Sequence, residues 1–177
     1  MDFNVKQAII DRLEATKRDN RIALYNYMSE NGFYNRRCHR HHKYAGGLAD
    51  HAWQTYQIAW RLNAENRAKN PNAPILDEDS IAICALLHDF CDCSGMRELF
   101  TKDKHGIRSA VMLLELGFHL SPDEYIAIHF HMRLKGKENH PLYEDAKKNQ
   151  LRYLIQKADG ISASAKKGYK DPYVIED

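Results

Sequence analysis

The chain has 177 residues, of which 44% are hydrophobic and 28% charged, and a formal net charge of +2. This predicts one globular domain, residues 1–177, long enough to bury a sizeable core. The small charge gives no bulk electrostatic case for nucleic acid, and the sequence has no apolar run of about 18 residues to cross a membrane.

Taken in chain order, the pattern is helical. Val5, Ile9, Ile10 and Leu13 form a first apolar stripe. Ile22, Leu24, Tyr25 and Met28 form a second, stopped by Asn31-Gly32. Residues 33–46 show no period and read as an ordered loop. This loop is strongly basic: Arg36, Arg37, Arg40 and Lys43 stand among His39, His41 and His42. It is either a solvated loop or a phosphate-attracting rim beside a site. After Gly46-Gly47 a long helical pattern runs from Leu48 to about Arg67, broken by the turn-rich stretch Asn70–Pro74.

The next helix, capped by Asp77 or Asp79, is almost continuously apolar from Ile81 to Leu87 and ends on His88-Asp89. Residues 90–104 read as irregular, with a short helix over Met96–Phe100. His105-Gly106 opens a helix through Leu116, stopped by Gly117. Ser121-Pro122-Asp123-Glu124 is a helix start: Ser121 caps, Pro122 suits the first turn, and Glu124 closes a capping box. That helix is expected to carry His129 and His131. Beyond Pro141 a single helix is expected from about Tyr143 to Ser164, with a polar tail after Gly168. No segment alternates as a strand, so the fold expected is all-α, with six to eight helices.

The four cysteines, Cys38, Cys84, Cys91 and Cys93, form no Cys-x-x-Cys element. With no long apolar segment over Met1–Ile10, this predicts free thiols in a reducing cytoplasm rather than disulfides or structural zinc. Cys91 and Cys93 flank Asp92 just after His88-Asp89 and read as small residues near the site, with accessory metal contact as the alternative.

Ten histidines are many for this length, and several are clustered. His51 lies three residues after Leu48, and Asp159 lies four after Ile155 and eight after Leu151, both on apolar helical faces. An imidazole or carboxylate in such a setting costs several kcal/mol unless something pairs with it. Taken singly, each has an ordinary structural explanation. Together, His51, His88, Asp89 and Asp159 point to a divalent metal, and their N and O donors suit Fe, Mn, Zn, Co, Ni or Mg.

The order His, His-Asp, distant Asp, all on helices, resembles the HD-domain superfamily of metal-dependent phosphohydrolases. The resemblance spans about residues 35–165, with residues 4–31 as helices packed on that core. Its most specific pieces are His41-His42-Lys43-Tyr44-Ala45-Gly46-Gly47-Leu48-Ala49-Asp50-His51 and Leu86-Leu87-His88-Asp89-Phe90. The first is similar to a segment of bacterial HD-type phosphohydrolases and 3′–5′ exoribonucleases. The resemblance implies that His51, His88, Asp89 and Asp159 hold one ion. His105-Gly106 and Ala127-Ile128-His129-Phe130-His131 also resemble HD-type hydrolases of diadenosine tetraphosphate, which implies a second ion on His105 and His131. Many members follow His-Asp with a Gly and a Lys; here those positions are Cys91 and Asp92, so substrate contacts do not carry over.

The resemblance implies the expected activity: hydrolysis of a phosphoester of a nucleotide or other small phosphorylated molecule by a metal-activated water, with Asp89 bridging where two ions bind. His129 is the candidate second-shell partner or proton donor. Arg37, Arg40, His42, Arg108 and Arg133 are the candidate phosphate contacts. A long nucleic acid is disfavoured by the small charge, no membrane partner is expected, and a homodimer is left open. Two other readings remain at this point: a di-iron oxygenase of HD-like type, and a non-catalytic metal-bound sensor or interaction domain.

Overall fold

The computed structural model describes residues 4–38, 40–94 and 104–164. Among the described residues there are eight α-helices and no strand. They are α1 (Val5–Ala15), α2 (Arg21–Glu30), α3 (Gly47–Lys69), α4 (Glu78–Leu87), α5 (His105–Glu115), α6 (Pro122–His129), α7 (Tyr143–Lys148) and α8 (Gln150–Ser164), with a 3-10 turn at Phe90–Ser94 after α4. The short helix expected over Met96–Phe100 and the tail after Gly168 lie outside the described residues. No described helix is long and apolar enough to cross a membrane.

The polar residues at helix ends explain where the chain stops and starts. Asn4 accepts a hydrogen bond from the Gln7 amide, Asp77 from the Ser80 amide at 2.8 Å, and Ser121 with Glu124 forms a complete capping box. These caps satisfy amides that have no partner within their helix. The helix expected from Tyr143 to Ser164 is in fact two. Asn149 adopts an extended conformation and breaks it. Its Oδ1 accepts the Arg152 amide at 2.7 Å, while its Nδ2 donates to Asp123 Oδ1 at 3.0 Å. Asn149 thus caps α8 and ties its start to the start of α6, a preference for capping over helix interiors that periodicity does not reveal.

Helix α4 is the centre of the core. Every residue from Ile81 to Leu87 is buried, as an unbroken apolar run requires. Long α3 packs on both α4 and α8, α6 packs on α5 and α8, and α1 closes the outside of α3 and α4. Ile22, expected on an apolar stripe, is 67% exposed, whereas Leu24 and Met28 of the same helix are buried. α2 therefore offers the core a narrower face than its composition suggests.

Candidate metal centre

Four helical elements deliver their ends or faces to one point. His51 comes from the second turn of α3, His88 caps the C-terminus of α4 with Asp89 just beyond, His105 opens α5, and Asp159 lies on α8. His131 lies two residues past the end of α6, not on the helix as the sequence pattern suggested, because α6 stops at His129. His51, His88, His131 and His105 are all buried, as is Asp89.

The distances divide these residues into two halves that share one carboxylate. On one side His51 Nε2 stands 3.2 Å from His88 Nε2 and 3.2 Å from Asp159 Oδ1. On the other, His105 Nε2 stands 2.9 Å from His131 Nε2. Asp89 lies between them. Its Oδ2 is 3.9 Å from His51 and 3.8 Å from His88, and its Oδ1 is 3.4 Å from His105 and 3.7 Å from His131. Within this cluster the triads His51-His88-Asp89, His88-His131-Asp159 and Asp89-His105-His131 each offer donor atoms within 4.8 Å of one another.

Hydrogen bonding fixes the rings. A carbonyl only accepts, so His88 Nδ1 donates to the Ala85 carbonyl at 2.9 Å and His131 Nδ1 donates to the Ile128 carbonyl at 2.7 Å. In the neutral ring each Nε2 then carries a lone pair. Those lone pairs face other ring nitrogens at 3.2 and 2.9 Å, an arrangement that either a proton on the facing nitrogen or a cation between the rings satisfies. Asp89 Oδ1 is buried and accepts no hydrogen bond from the described residues. The residues present therefore fit a divalent ion, and their N and O donors are of the kind Fe, Mn, Co, Ni, Zn and Mg accept.

Electrostatics agrees with this. Burial works against ionising Asp89, but His88 and then His105, His131 and His51 overcome it and hold its carboxyl well below the usual range. Asp159 is lowered in the same way by His51 and His88 against its burial. Burial also opposes a charge on His88, yet Asp89 and Asp159 lift its pKa to about 9. His131 is pushed down to about 3, first by burial and then by His105 and His88. Without an ion, a proton on His88 offsets part of the carboxylate charge; a bound ion would replace it.

Two glycines make the geometry reachable. A Cβ on Gly106 would lie 2.5 Å from the His129 carbonyl oxygen, so only glycine lets α5 approach α6 closely enough to bring His105 to His131. A Cβ on Gly47 would lie 1.9 Å from the His42 carbonyl oxygen, so the loop before α3 folds directly onto the start of that helix. The 3-10 turn that carries Cys91-Asp92 is also fastened here. The Cys91 amide donates to Ser109 Oγ at 3.1 Å and its thiol to the His105 carbonyl at 3.4 Å. Cys91 is therefore a strut for the start of α5, not one of the converging donors.

The other expected site residues divide. His129 is buried but does not join the cluster. Its ring stacks on Phe130 and meets Tyr125 and His140 edge-on, because positions two apart at a helix end point to different sides. Its ring partners are thus aromatic residues outside the cluster of converging donors. His42 is buried and uses both ring nitrogens within the protein, on Gln54 and His41, so it is not a solvent-facing phosphate contact. Arg37, Arg40 and Arg133 are exposed. Arg108 is half-buried, one turn after His105, with Nη1 3.8 Å from Glu115. His41, which the sequence places in the basic loop and at the start of the segment His41–His51, stands at the cluster with its ring centroid 4.4 Å from that of His51. Burial first, and His51 next, push its pKa down to about 4.

An all-helical protein with a buried His/Asp cluster able to hold metal is compatible with an HD-like fold. Comparisons with protein-family models, curated protein sequences and solved structures found no match.

Proposed function

We propose that the chain is a metal-dependent phosphohydrolase acting on a phosphoester of a nucleotide or another small phosphorylated molecule. The observation that supports this reading most is Asp89, whose two carboxylate oxygens each face a separate pair of histidines. Asp89 could then offer one oxygen to each of two ions. His51, His88 and Asp159 would hold one ion, and His105 and His131 the other. Such ions lower the pKa of a coordinated water toward about 7 and polarise a phosphoryl oxygen.

The protein's own residues supply position and insulation. The Ala85 and Ile128 carbonyls hold the His88 and His131 rings with Nε2 inward. The apolar walls of α4 and α6 keep bulk water from the buried side of the cluster. Exposed Arg37, Arg40 and Arg133 lie on the segments that carry the site's histidines and are the candidate anchors for substrate phosphate. The net charge of +2 favours a small substrate over a long nucleic acid. Four free, buried thiols favour a reducing setting such as the cytoplasm.

Purified protein loaded anaerobically with Mn or Co should release phosphate, or a nucleotide product, from at least one member of a broad panel of nucleotides and phosphoesters, and Asp89→Asn should abolish it. Oxygen consumption by the iron-loaded protein without any phosphoester cleavage would replace this reading with an oxygenase. No turnover with any metal would leave a binding or sensing module.

A further inference from the structure

We propose that His41 is an additional metal ligand, its Nε2 closing on the ion held by His51, His88 and Asp159. The inference rests on the metal-centre reading above and adds a nitrogen from a loop to donors otherwise held by helices and their ends.

The loop that carries His41 is tightly built. The Cys38 amide donates to the His42 carbonyl at 3.2 Å and the Leu48 amide to the Arg36 carbonyl at 2.9 Å. His42 takes a left-handed conformation at φ 45°, which a non-glycine residue adopts only where its surroundings impose it. Gly47 lets the His42 backbone lie against α3. These contacts press His41 against His51, at a centroid distance of 4.4 Å, closer than the 5.1 Å between His51 and His88. His41, His42 and His51 offer ring nitrogens within 4.8 Å of one another.

A chain of hydrogen bonds then sets which nitrogen of His41 is available. Gln54 Oε1 is an acceptor, so His42 Nε2, 3.0 Å away, is the donor. His42 Nδ1 is then the acceptor in the neutral ring, so His41 Nδ1 donates to it at 3.1 Å. His41 Nε2 is left with its lone pair. The same Gln54 oxygen lies 3.4 Å from Ser162 Oγ, which lies 2.9 Å from His51 Nδ1. When Ser162 donates to Gln54, it accepts from His51 Nδ1, and His51 Nε2 is also left as a lone pair beside Asp159. The Gln54 oxygen thus sets the His41 ring through His42, and Ser162, whose hydroxyl also lies 3.5 Å from the His51 carbonyl, accepts from His51 Nδ1 whichever of the two oxygens it donates to. His42, buried and fully engaged, is the positioning residue; His41, half-buried, is the ligand on the open side.

Titration of the full-length protein with Co(II) tests this, read by equilibrium dialysis and by the visible absorption of the bound ion. His41→Ala should weaken one Co(II) site by at least about tenfold, a loss seen even when an outer partner of a ligand is removed. The visible band should change as a nitrogen is lost, and added imidazole should restore it. Gln54→Met leaves His41 in place but removes the acceptor; it should weaken the same site by a smaller factor. Unchanged affinity and spectrum in folded His41→Ala overturns the proposal while leaving the metal centre intact. Should His41→Ala not fold, unchanged affinity and spectrum in Gln54→Met overturns it. Failure of the wild-type protein to bind Co(II) overturns both.

Discussion

His129 and His131 stand two residues apart at the end of one helix, are both buried, and belong to regions with opposite chemistry. His131 turns to a point where two carboxylates and three other imidazoles meet. His129 turns to Phe130, Tyr125, His140 and Lys137, with no carboxylate among its ring or charge partners. Its Nδ1 is buried with no hydrogen-bond partner among the described residues. The two histidines differ in the carboxylates around them. Around His131 the carboxylates add negative charge that favours a dication.

The largest expected effect breaks the centre itself. Asp89→Asn removes the charge shared by both halves, so bound metal measured by elemental analysis should fall to at most one equivalent. Hydrolysis should fall by at least about 100-fold, the scale of losing one strong electrostatic contact in a dry site. Next, the two neighbouring histidines should separate cleanly. His131→Ala should abolish the ion on the His105 side while leaving the His51 side loaded. His129→Ala should leave metal content unchanged and cost stability alone, roughly 1–3 kcal/mol, as for other buried truncations. Equal metal loss in both variants would erase the distinction between the two regions.

A subtler change acts through the backbone that joins them. Gly106→Ala sets a methyl group against the His129 carbonyl, pushing α5 from α6. Weaker metal binding on the His105 side, with the other side unchanged, is the expected result of the dialysis measurement.

The smallest effect is on pH dependence. Burial, with repulsion from Lys137 and His140, lowers the His129 pKa from 6.5 to about 4. Between those values the unfolded chain binds this proton and the folded chain does not. The unfolded state therefore holds more protons, and stability falls as pH falls through the window. In metal-free protein, the drop in unfolding midpoint from pH 7 to pH 5 should be smaller in His129→Phe than in the wild type. An unchanged drop would mean that His129 is not held neutral.

The sequence carried the helices well, because burial of an apolar stripe and capping are local signals. Ile81–Leu87 reads as a buried helix from its residues alone, and Ser121 to Glu124 announces a helix start. It also carried the four residues His51, His88, Asp89 and Asp159, because a polar group on an apolar face is conspicuous wherever it occurs. The break at Asn149 was not legible, since it depends on Asp123, which lies 26 residues earlier. Nor was the choice between His129 and His131 from the residues themselves: both are buried, and only the end of α6 decides which one turns toward Asp89. The approach of His41 to His51 was hidden for the same reason, although His41 opens the segment that carries the resemblance. Its basic neighbours look like a solvated loop, and only the close approach of that loop to α3 through Gly47 places it against His51. Local chemistry thus determined which residues were too costly to bury alone. Tertiary packing decided which of them meet, because convergence depends on helix ends brought together from distant parts of the chain.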